Sequence, residues 1–175
     1  MTEKQTNILQ AALQLFAEEG YNATATSKIA RKAGVSEGLI FRHFGNKEGL
    51  LNAIMELGKE RELGRYAEIL AQDDPRKVIE NTLALPLKVG EEDYHFWRLI
   101  YSLKWHAKTY DESVTAPLKA ALINAFELLN YDHPLAEAES VLMYLDGMAM
   151  AVLLRNVKNK EQIYQMMLNK YLQKK

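Results

Sequence analysis

Apolar residues recur along almost the whole chain at intervals of three and four, and no window holds the sustained alternation of a half-buried strand. Ile8, Ala12, Leu15 and Phe16 mark one face of a first helix, which Gly20 closes. Thr24 is placed to cap a second, short helix whose apolar stripe is Ile29, Ala30 and Ala33 and which ends at Gly34. Ser36 is placed to cap a third, with Ile40 and Phe44 one turn apart. After the break at Gly45 and Asn46, a long helical pattern runs from Lys47 toward Asp73 through Leu50, Ile54, Leu57, Leu63, Ile69 and Leu70. Asp74 before Pro75 reads as the start of the next helix, and Pro86 should end or bend it. Further helical stretches are the aromatic-rich segment after Asp93, one beginning at Thr115 or Ala116, one after His133 and one after Lys160. The pattern predicts an all-α protein of about nine helices, without repeats or a flexible linker. Three short helices come first, residues 1–47, and a larger helical domain follows, residues 48–175.

The first three helices, the last two joined by Ala33-Gly34-Val35-Ser36, have the form of a helix-turn-helix unit. Its tight turn needs a residue that tolerates positive φ, and Gly34 supplies it. With Ile40 and Phe44 facing inward, Glu37, Gly38, Leu39, Arg42 and His43 face out. A helix that presents one glycine, one arginine and few bulky groups can come close to base edges in a major groove. Arg42 then suits the O6 and N7 acceptors of guanine. Thr26, Ser27 and Lys28 at the start of the second helix, and Lys47 at the start of the fourth, are placed for phosphates.

Charge sharpens this picture. The net charge of −1 does not announce a polyanion binder, but its distribution is uneven. Between Lys28 and Lys47 stand five basic residues against Glu37 alone, whereas from Leu51 onward sixteen Lys and Arg face eighteen Asp and Glu. A basic segment on a slightly acidic body suits docking to nucleic acid; taken alone, it equally describes a solvated helix face.

The stretch from Phe16 to Leu51, FAEEGYNATATSKIARKAGVSEGLIFRHFGNKEGLL, closely resembles the DNA-binding domain of the tetracycline-repressor (TetR) family. The resemblance rests on Phe16, Gly20, Thr24, Ile29, Ala30, Ala33, Gly34, Val35, Ser36, Phe41, His43, Phe44 and Lys47, in order and without gaps. It implies a homodimeric regulator that binds double-stranded DNA at an inverted-repeat operator, most simply a repressor released by a small-molecule effector. Phe41 departs from the family, which usually has tyrosine there contacting a phosphate; its loss removes a hydrogen bond of about 1 kcal/mol. Lys28, His43 or Lys47 could replace that contact. Glu37 is a second oddity on this face. It suits acceptance from a cytosine amine, or simply the preference for an acid in a first helical turn.

Beyond Leu51 the resemblance implies architecture only, a helical effector-binding and dimerisation domain. Ser140 to Leu154 is apolar nearly all round, as a helix buried on two sides would be. It reads either as an intramolecular core helix or, with the last helix, as one half of a symmetric four-helix interface. For the interface the expected residues are Leu142, Leu145, Ala149, Val152, Ile163 and Met167. The aromatic segment holds Tyr94, Phe96, Trp97, Tyr101, Trp105 and Tyr110. These suit core packing or the lining of an apolar pocket with polar anchors, and Tyr94, Trp97, Tyr101, Trp105 and Tyr144 are the candidate effector contacts.

Other classes find little support. There is no Gly-rich phosphate loop, no GxSxG and no cysteine, so neither a thiol nucleophile nor a disulfide. Glu92-x-x-His95 occurs once, where a di-iron bundle needs the motif twice, so neither metal nor cofactor is expected. The polar N-terminus and the absence of a long apolar run predict a soluble cytoplasmic protein. A helical protein-interaction or ligand-binding module without sequence-specific DNA binding remains the alternative reading.

Overall fold

The structure is a computed structural model that describes residues 1–90, 93–104 and 112–172. Among these lie nine α-helices and no strand: α1 Glu3–Glu19, α2 Thr26–Ala33, α3 Glu37–Phe44, α4 Lys47–Leu70, α5 Pro75–Ala84, α6 Tyr94–Lys104, α7 Ala116–Leu128, α8 Pro134–Arg155 and α9 Lys160–Leu172. None of the described helices is long and apolar enough to cross a membrane.

The packing groups the chain into two compact units. The first comprises residues 1–60 and α6, so it is larger than the segment 1–47. α1 packs on α2 and on α6, and α2 packs on α3. Ile8, Ala12, Leu15, Phe16, Ile29, Ile40, Leu50 and Ile54 are buried. Local chemistry sets the helix ends. Thr2 and Gln5 form a reciprocal capping box at the start of α1. Gly34, at φ +67°, lets the amide of Val35 turn back to the Ala30 carbonyl at 3.0 Å.

Thr24 does not cap α2. The N-cap is Ala25, and Thr24 is buried, its hydroxyl directed to the carbonyls of Gly20 at 2.9 Å and Leu15 at 3.3 Å. Thr24 is turned toward the end of α1, where its hydroxyl donates to carbonyls, and so does not accept from the first amides of α2. Ser36 does occupy the N-cap position of α3, though without a side-chain bond.

The second unit holds the rest of α4 with α5, α7, α8 and α9. Its core includes Ile79, Leu83, Leu118, Leu122, Phe126 and Val141. Asp74 caps α5 through the Arg76 amide at 2.9 Å, and Pro86 falls in a 3-10 turn, Leu85–Lys88, that continues it. α9 is held by its last turn. The Tyr171 ring lies 5.4 Å from Phe126, the Tyr131 hydroxyl donates to the Tyr171 carbonyl at 2.7 Å, and Arg76 donates to the Leu172 carbonyl at 2.8 Å.

Candidate nucleic-acid interface

α3 is anchored from one side only. Ile40 is fully buried and Phe44 half-buried, while Gly38, Phe41 and Arg42 are exposed and Leu39 partly so. Phe41 is 44% exposed, although Phe16, Phe96 and Phe126 are buried. A groove runs along this face, lined by Gly34, Val35, Ser36, Gly38, Leu39 and Arg42 of the helix-turn-helix and by Lys4 of α1.

Gly38 has no internal reason to be glycine. A Cβ built there meets nothing within 4 Å, and no strained φ requires it. A helical glycine costs about 1 kcal/mol relative to alanine, and the chain's own packing at Gly38 does not account for it.

The other expected DNA contacts are held within the unit. The Thr26 hydroxyl donates to Glu37. Lys28 pairs with Glu19 at 2.5 Å. Lys47 donates to the Asn22 carbonyl at 3.3 Å and sits 4.5 Å above the Tyr21 ring. It thereby ties the α1–α2 loop to the start of α4. His43 Nδ1 lies 3.4 Å from Gln5 Nε2, so the capping residue of α1 also supports the reading helix. Ser27 is exposed. Lys4 and Gln5 escape the sequence reading. The Thr2-x-x-Gln5 spacing signals a capping box, but nothing local tells that this helix end lies beside α3.

The remaining candidates divide between the units. Trp97 and Tyr101 are buried on α6 in the first unit, with Phe96 and Trp97 in an edge-to-face contact at 5.2 Å, and Tyr94 is half-buried. Trp105, Tyr110 and Glu92 lie outside the described residues. Tyr144 belongs to the second unit. Its hydroxyl is enclosed with no hydrogen-bond partner among the described residues, and its pKa is pushed up to about 12, first by burial and then by Tyr164 and Glu161.

Of the expected interface residues, Leu145, Ala149 and Val152 are buried in the single chain, with Ala149 and Val152 each 5% exposed. Leu142, Ile163 and Met167 are half-buried. The stripe that α8 leaves outside is Met143, Gly147, Met150 and Leu154, at helical spacing, with Met143 67% exposed; on α9, Met166 is 70% exposed.

Residues 8–54 match the model of the bacterial regulatory proteins of the tetR family. The match is confined to this N-terminal segment, which is therefore similar to the DNA-binding domain of that family. An uncharacterized HTH-type transcriptional regulator of Bacillus subtilis, YvkB, is 51% identical over 55 residues, which is 31% of this chain and 29% of that protein. The HTH-type transcriptional repressor Rv3405c of Mycobacterium tuberculosis is 42% identical over 77 residues, 43% of this chain and 38% of its own length. The likeness to these curated relatives thus spans well under half of either. Across nearly the whole chain, the protein shares its fold with a tetR-family regulatory protein from Rhodococcus RHA1 (TM-score 0.79, 18% identity, 97% of each chain). It also shares the fold of PfmR from Thermus thermophilus (TM-score 0.73, 22% identity, 96% of this chain and 97% of that one).

Proposed function

We propose that this protein is a cytoplasmic transcriptional repressor that binds an inverted-repeat operator as a homodimer and is released by a small-molecule effector. The observation that carries the reading is the exposed face of α3, where Arg42 and an otherwise unexplained Gly38 share one groove. Arg42 reads guanine; Gly38 admits the base edges; Ser27 and Lys4 meet phosphates. Two such helices enter major grooves one helical turn apart, about 34–36 Å, which requires two subunits. The apolar stripe left outside on α8 supports pairing with a second copy.

The effector acts through α6. That helix buries Trp97, Tyr101 and Ile100 in the same compact unit as the reading helices and packs on α1. A ligand that takes a place among these aromatics competes with the packing that orients α1 and, through it, α2 and α3. In the second unit, the Tyr144 hydroxyl, without a partner among the described residues, is available to a polar group of a ligand.

Selection from random duplexes tests the proposal. It should return a symmetric motif, and Arg42→Ala should bind it more weakly by about 1–3 kcal/mol with relaxed preference at one position per half-site. A metabolite that raises the melting temperature should weaken binding of that duplex by about 5–150-fold, and the duplex should weaken metabolite binding equally. No symmetric motif, or unchanged binding by Arg42→Ala, would defeat the reading.

A further inference from the structure

Glu37 stands at the first position of the reading helix, yet its carboxylate is engaged by the Thr26 hydroxyl at the first position of α2. Both side chains are half-buried. A threonine hydroxyl has one proton and donates it to one acceptor at a time, and phosphate oxygens offer only acceptors. The Thr26 proton can therefore serve Glu37 or a DNA phosphate, never both.

Resting on the DNA-binding function above, we propose that Glu37 is an affinity-limiting residue of the interface. Its carboxylate occupies the Thr26 hydroxyl and fixes a negative charge on the face that meets the phosphate backbone. Backbone contacts supply attraction without sequence information, so this residue weakens binding to every duplex while leaving the base contacts of Arg42 alone. The Glu19–Lys28 pair at 2.5 Å restrains a second donor of the same helical turn in the same sense. The cations left for the backbone are then Lys4, Arg31 and Lys32, all exposed. Affinity held down in this way lies within reach of an effector whose coupling to DNA binding is modest.

The test compares the wild type, Glu37→Gln, Thr26→Val and the double variant on a random-sequence duplex and on the selected duplex over a salt series. Glu37→Gln removes the charge and leaves a neutral amide oxygen, which holds the Thr26 hydroxyl less tightly than a carboxylate does and so releases it more readily, and a melting curve for each variant verifies that it is folded. Glu37→Gln should bind both duplexes about 3- to 10-fold more tightly. It should also steepen the dependence of log K on log salt by up to about 0.9, with the base preferences unchanged. In the Thr26→Val background the gain should be smaller, because no hydroxyl is left to be released. Tighter binding in neither duplex, or an equal gain in both backgrounds, would overturn the competition for Thr26. Weaker binding with preference lost at one C·G position would instead make Glu37 a base reader. If the wild type binds neither duplex, the DNA-binding reading falls first and takes this proposal with it.

Discussion

The enclosed hydroxyl of Tyr144 has a consequence that Tyr131 lets one calibrate. Tyr131 donates to the Tyr171 carbonyl at 2.7 Å, so Tyr131→Phe removes a made hydrogen bond and should cost about 1 kcal/mol. Tyr144 makes no bond to the described residues, so Tyr144→Phe should leave stability unchanged or raise it by up to about 1 kcal/mol. Denaturant melts of the two variants decide between these signs. A pH effect follows as well. The folded-state pKa of Tyr144 is about 12 against an ordinary 10.0, so the folded protein holds this proton more tightly than the unfolded chain. The corresponding stability is fully present below pH 10 and is lost as pH rises through about 12. Tyr144→Phe should therefore shift alkaline unfolding to higher pH. Burial also raises Tyr21, Tyr131 and Tyr164, so the variant delays that transition without abolishing it. An alkaline midpoint that does not move would contradict the enclosure.

Between elements, two glycines of α4 make different demands. A Cβ on Gly49 would lie 1.9 Å from the Phe44 carbonyl oxygen, which ends α3, so the first turn of α4 sits against the end of the reading helix. Backbone cannot move aside as a side chain can. Gly49→Ala should destabilise by about 1–3 kcal/mol and displace α3, weakening DNA binding in step. A Cβ on Gly58 would meet only the Ile100 side chain, with Cδ1 nearest at 2.7 Å, the far end of a group that can rotate. There the helix gains about 1 kcal/mol from replacing glycine, and Gly58→Ala should change stability by less than about 1 kcal/mol either way. Melting temperatures measured side by side test the contrast; equal losses at both positions would refute it.

For the whole molecule, burial separates residues that hold the chain's own fold together from apolar ones it leaves outside, where the proposed second copy would pack. A charge at Val152, inside the core, should prevent folding, because burying it unpaired costs several kcal/mol. Charges at Met143 and Met166, both largely exposed, meet water in the single chain. The double variant Met143→Lys, Met166→Lys should keep its circular dichroism and melting temperature while sedimenting as a monomer and losing operator binding. A double variant that remains dimeric would place the interface elsewhere.

Local rules account for what could be read along the chain. Gly20, Gly34 and Gly45 carry positive φ at the ends of α1, α2 and α3, and the three- and four-residue spacing of Ile8, Ile29 and Ile40 with their neighbours marks the buried faces. Each depends on residues a turn or two apart, as does the tetR-family word from Phe16 to Leu51. Packing decided the remainder. Thr24 turned from the cap of α2 to the end of α1, Thr26 turned to Glu37, and Lys4 came beside Arg42. The side of α8 that its own subunit covers was settled in the same way. An apolar stripe shows that a helix is buried, but a helix apolar on several sides does not say which side meets which neighbour. A hydroxyl or carboxylate likewise carries no mark of its partner, since the choice depends on groups brought near only when distant segments pack.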